Sequence, residues 1–255
     1  VGAQTFNDPV VEGTTAAEFT STGDLANNVA AGNITFAKTL DGAQAVTINT
    51  AGNTIFTGKV GFTDALTSLT TDAGGTVAIN GGVVNTTGAQ SYGEAATLGA
   101  ATTLTSTGSG DITFGSTLNG AQTLAVNTSG ATTFTGAVGG TTALTSLTTD
   151  AGGTVAINGG VVNTTGAQIY GEAVTLGAAT ALTSTGSGVI SFANTLNGGQ
   201  TLAINTSGTT VFNGAVGNSA ALTSLTTDAG GTVVINGGVV NTTGAQVYGE
   251  AATLG

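Results

Sequence analysis

The chain has 255 residues, 44 of them glycine and 40% apolar, with no histidine, cysteine, methionine or tryptophan. Thirteen carboxylates against two lysines leave a net charge of −11, which repels phosphate backbones and anionic membranes and argues against nucleic acid as a partner. The missing residue types exclude disulfides and Ser-His-Asp or Cys-His catalysis, and low charge with high apolar content argues against disorder.

Residues 1–65 read as a divergent N-terminal repeat. The opening "VGAQTFNDPVVEG" is a degenerate copy of "GAQSYGEAATLG" at 88–99. Both lysines, the single proline and six of the thirteen carboxylates fall before residue 65, and the stretch from Gly23 to Asn33 carries seven residues more than later repeats do. Proline and charge are how natural proteins blunt an open sheet edge, so Asp8, Pro9, Glu12 and Glu18 are predicted to form a cap. The opening stretch lacks the basic start and apolar centre of a signal peptide, so the sequence is expected to be mature or excised. No run of about 18 apolar residues is present.

From residue 66 the sequence repeats with an offset of 78: "LTSLTTDAGG" starts at 66, 144 and 222, and the same offset joins Phe36, Phe114 and Phe192. The units are 66–143, 144–221 and a partial 222–255, whose residues match 66–99 at 32 of 34 positions. Near-identical neighbours are harmless in a solenoid, where each unit touches only its neighbours. Inside each unit Leu104, Leu124 and Leu144 fall 20 apart. That spacing predicts coils of 19–20 residues, four per 78-residue repeat and about 13 in the chain.

Within a coil, "TLTST", "DITF" and "TLAVN" alternate polar with apolar and favour β-branched and aromatic residues, as half-buried strands do. "GSG", "LNGAQ", "NTSGA" and "DAGG" are turn sequences. Three short strands per coil, stacked about 4.8 Å apart, place Leu, Ile, Val and Phe inside and Thr, Ser, Asn and Ala outside. The expected fold class is therefore all-β, a single parallel β-helix over residues 1–255.

The runs "ALTSTGSGVISFANTLNGGQTLAINTSGTTVFNGAVG" and "LTSLTTDAGGTVVINGG" resemble the β-strand repeats of very large bacterial surface proteins related to filamentous haemagglutinins and autotransporter passengers. The resemblance covers nearly the whole chain from about residue 33. It implies a right-handed β-helix, secretion to the cell surface, and a role as adhesin, stalk or matrix fibre. It supplies no functional residues, and the secretion domain and membrane anchor of that family are not in this sequence.

For chemistry the inventory is thin. After Lys59 the chain has no basic residue to stabilise developing charge, and a glycosidase-like pair such as Glu94 and Asp111 recurs as Glu172 with Val189, so no catalytic residue and no enzyme activity are expected. No cofactor is expected apart from calcium, for which Asp72, Asp150 and Asp228 in "TTDAGG" turns are the candidates; the rival role for each is to accept backbone N–H bonds within its own turn. Asn85, Asn163 and Asn241 in "NTT", with Asn33, Asn127 and Asn205, match the N-glycan acceptor pattern and are predicted to lie in turns. Outward "TLT" at 103–105 resembles ice-binding rows, but the next coil reads "TLA". Tyr92, Tyr170 and Tyr248 are expected to plug a corner of the coil rather than to form an exposed row. The chain stops at Gly255 in the phase of Gly99, near the phase at which it begins, so head-to-tail stacking through Phe6, Asp8 and Pro9 at one edge and Tyr248 and Leu254 at the other is expected. The function expected is a non-catalytic extracellular rod whose partner is itself, with an adhesin contacting surface glycans or proteins as the alternative and no insertion into membrane.

Overall fold

The computed structural model describes residues 2–23 and 30–255. Most of the predicted insertion between Gly23 and Asn33 lies outside the described residues. Among the described residues there are thirty-one short strands and no helix, and the strands pair in parallel from one coil to the next. The molecule is an all-β parallel β-solenoid of about ten turns.

Three ladders run along it. The first face starts at Gln4–Phe6, passes through Ile34–Phe36 to Leu118–Asn119, and is carried by Val138 to Val161–Thr164 and on to Gln246–Tyr248. The second joins Val10–Val11 and Leu40–Asp41 through Val60 to Val83–Thr86 and ends at Ala251–Leu254. The third runs from Ala17–Ser21 to Leu196–Asn197 and continues as bridges at Val216 and Val240. The N-terminal residues predicted as a cap are thus the first coil of all three ladders, with Phe6 opposite Phe36, Val10 opposite Leu40 and Glu18 opposite Thr47.

The coils are longer and fewer than the leucine spacing predicts. On the third face the inward row runs Val46, Leu69, Gln90, Ile112, Thr132, Val155, Val174 and Leu196, one residue per coil and unevenly spaced. Seven coils carry that row from Val46 to Leu196, so thirteen do not fit in the chain. Leu104, Leu124 and Leu144 are not stacked on one another. Leu104 lies opposite Val126, Leu124 opposite Thr102 and Leu147, and Leu144 opposite Thr164 on a different face.

The longer coil changes what the sequence repeat means. Four whole coils would return equivalent residues to the same face, yet Phe36 lies on the first face, Phe114 on the third and Phe192 on the second. One repeat therefore spans close to three and two-thirds coils, and each is turned by a third of a revolution relative to the last.

Alternation along each strand sends every second side chain into one continuous core of Leu, Ile, Val and aromatic residues. Burying each such side chain contributes ~1.5–3 kcal/mol. The largest members form three stacks: Phe6, Phe36 and Phe56 at 5.1 and 5.7 Å on the first face, Tyr92, Phe114 and Phe134 at 5.1 and 5.7 Å on the third, and Tyr170, Phe192 and Phe212 at 5.2 and 5.5 Å on the second. Those centroid distances suit offset stacking. Tyr92 and Tyr170 are fully buried; each hydroxyl donates to the side chain of the glutamine two residues earlier, Gln90 or Gln168, at 3.0 Å. The Gln90 amide nitrogen donates in turn to the carbonyls of Val84 and Thr105, so this buried polar pair is satisfied.

Each repeat also pushes one loop outward, at 61–65, 139–143 and 217–221, between residues that bridge to the next coil. Gly139 opens the second loop at φ 65° with the Asn163 carbonyl where a Cβ would sit, a place only glycine fills. The coil below holds each loop by a side-chain oxygen: Asp41 accepts from Thr63 N–H at 2.8 Å, Asn119 from Thr141 at 2.9 Å and Asn197 from Ser219 at 3.0 Å.

Candidate functional site

The predicted edge residues lie at opposite ends of the solenoid. Phe6 stacks on Phe36 and meets Phe19 edge-on at 5.2 Å, while Asp8 and Pro9 are exposed beside it. At the other end Ile235, Val240, Tyr248 and Leu254 line an open hollow over the last coil, and Leu254 is 77% exposed. Tyr248 is half-buried, its hydroxyl donating to Gln246 at 3.1 Å.

The predicted glycan acceptors are placed differently from expectation. Asn85 and Asn163 lie inside strands Val83–Thr86 and Val161–Thr164, half-buried, with their backbone N–H groups bonded to Val60 and Val138. Asn127 and Asn205 are strand residues too. Asn241 is exposed beside the Val240 bridge, and its N–H donates to Val216. The triplet Asn-Thr-Thr falls at a strand's end, where alternation and not a turn governs the asparagine. The threonine rows are interrupted as the sequence implies, with Thr103 opposite Ala125 and Thr105 opposite Asn127.

The most informative cluster joins a calcium candidate to a glutamate that the sequence suggests only for catalysis. Asp72 follows strand Ser68–Thr71, and on the next coil Glu94 follows Gln90–Tyr92, with Thr71 directly opposite Tyr92. Glu94 is 2% exposed; the Thr71 hydroxyl donates to its Oε2 at 2.6 Å and its Oε1 has no partner. The Asp72 side chain does not bond within its own turn as predicted: its Oδ1 is buried and unpartnered. The arrangement recurs with Asp150 and Glu172 and with Asp228 and Glu250, where both oxygens of each glutamate lack a partner. At the coil length that the leucines predict, Asp72 and Glu94 are out of step; their separation in sequence is one actual coil, and that match is the signal that links them.

Burial pushes the Glu94 carboxyl above its ordinary pKa, and the Asp72 charge adds to the rise; Glu172 rises through burial and Asp150 in the same way. A group whose folded pKa is raised contributes stability below its unfolded pKa and loses it as pH climbs through the folded one. The melting temperature of the metal-free protein is therefore expected to fall as pH is raised above the ordinary glutamate value of about 4.3, the opposite of usual acid denaturation. A thermal melt series followed by circular dichroism checks the direction.

Glu94 and Asp111, the pair weighed for glycoside hydrolysis, are not brought together. They flank opposite ends of neighbouring strands, Glu94 after Gln90–Tyr92 and Asp111 before Ile112–Phe114, and Asp111 Oδ1 accepts the Ala131 N–H at 2.8 Å. Compared with known proteins, the chain matches no family model, no curated protein and no solved structure.

Proposed function

We propose that this chain is a non-catalytic structural protein of the bacterial cell surface or extracellular matrix, a right-handed β-solenoid rod that extends or stacks head to tail. Right-handedness follows from the twist of parallel β-crossovers. The observation that carries the reading is the unbroken coil-on-coil pairing: three parallel ladders climb from Gln4–Phe6, Val10–Val11 and Ala17–Ser21 to Gln246–Tyr248, Ala251–Leu254 and the Val240 bridge, so that the backbone of each coil templates the next. A coil of a second copy can add by the same pairing, in a contact that does not close.

A second reading, an adhesin stalk, draws on the loop at 61–65. Phe62 there is 54% exposed with the Lys59 ammonium 3.6 Å over its ring, a cation–π pair presented to solvent on a loop, where binding residues concentrate. Light scattering and negative-stain imaging of the purified chain across a concentration series test the main reading. Rods or fibres that lengthen with concentration are expected. A monomer at millimolar concentration, with the last coil protected from hydrogen exchange, overturns the stacking.

A further inference from the structure

The acidic corner is a feature the rod alone does not explain. Glu94 is drawn out of water and Asp72, on the coil below, is half-buried with its Oδ1 covered, while the only lysines lie elsewhere: Lys38 in an exposed turn and Lys59 over Phe62. Leaving buried charge uncompensated is costly, so each corner needs a proton or a cation. A further oxygen faces Glu94: the hydroxyl of Thr54, 0% exposed and turned toward that carboxylate. Its equivalents Thr132 and Thr210 are also fully buried, and both are unpartnered. Three copies thus repeat one set of donors, a threonine hydroxyl, an aspartate and a glutamate, each with oxygen lone pairs to spare.

We propose that each corner binds one calcium ion: Thr54, Asp72 and Glu94 in the first, Thr132, Asp150 and Glu172 in the second, Thr210, Asp228 and Glu250 in the third. Hard oxygen donors of mixed charge suit calcium, which takes six to eight oxygens in flexible geometry and completes its shell with water. Magnesium demands near-ideal octahedral geometry at short distances, which donors fixed on separate coils supply poorly. No cluster of three or more His, Cys, Asp or Glu side chains occurs among the described residues, so each site relies on two carboxylates supplemented by hydroxyls and water. Binding draws two carboxylates on successive coils together through one ion, stapling each coil to the next. The inference does not depend on whether rods stack.

The experiment uses the whole chain and terbium as a calcium analogue. Tyr92 and Tyr170, two residues from Glu94 and Glu172, serve as the only sensitisers needed, because the chain has no tryptophan. Terbium luminescence excited through tyrosine is expected, competed away by calcium and not by equal magnesium. Calcium is also expected to raise the melting midpoint by at least about 5 °C over chelator at pH 7. The triple variant Glu94→Gln, Glu172→Gln, Glu250→Gln keeps the side-chain shape and is expected to fold while losing both responses. Should the wild type show no sensitised terbium and no calcium shift at millimolar ion, each corner holds a proton and the proposal is overturned. A triple variant that retains both responses overturns it equally.

Discussion

Replacing Phe114 by alanine is expected to destabilise the protein by about 3–5 kcal/mol, read as a lower urea midpoint at unchanged slope. The ring lies between Tyr92 at 5.1 Å and Phe134 at 5.7 Å and is 1% exposed. Its removal deletes the middle of a three-ring stack whose neighbours are fixed by strand pairing on both sides, so the space cannot close. Thr113→Ala, on the outward side of the same strand, is expected to change stability by no more than ~0.5 kcal/mol. Because a solenoid couples coil to coil, hydrogen exchange should quicken most in the strands around 90–92 and 131–134 and least at the far ends. Uniform loss along the rod would show that the coils unfold as one unit.

The second large effect comes from adding atoms. At Gly159 a Cβ would overlap the backbone carbonyl of Gly136 on the coil below. The obstacle is main chain held between neighbouring coils, so no side chain can swing aside. Gly159→Val is expected to cost about 3 kcal/mol, the upper end of what overpacking does, and to separate the two coils at that corner. Gly199, with open space around its Cα, is the control: Gly199→Ala is expected to change stability by no more than ~0.5 kcal/mol. Parallel denaturation curves distinguish the two, and equal midpoints would show that coil spacing is softer than close packing implies.

Strand identity and facing were legible because alternation is a local property: "DITF" and "TLAVN" become strands with Ile112, Phe114, Leu124 and Val126 inside. Coil length was not, because the evenly spaced leucines Leu104, Leu124 and Leu144 occupy unlike positions. Leu144 sits past an outward loop that uses up chain without advancing the ladder. Gln90 could have been found from the same alternation that buries Tyr92, two residues on. The Asp72 and Glu94 corner needed the true coil length before its members could be seen as neighbours. The asparagines depart from expectation for a related reason: a polar triplet reads as a turn, yet in a solenoid the outward half of every strand is polar.

The one-third revolution per repeat gives this molecule no front or back. Identical patches climb it as a staircase with about 18 Å between steps, each facing a new compass direction, and the original bearing returns only after three repeats, or about 53 Å. A flat surface laid against the shaft meets every third copy of whatever the repeat displays, whereas a bundle of parallel shafts could use all of them at once.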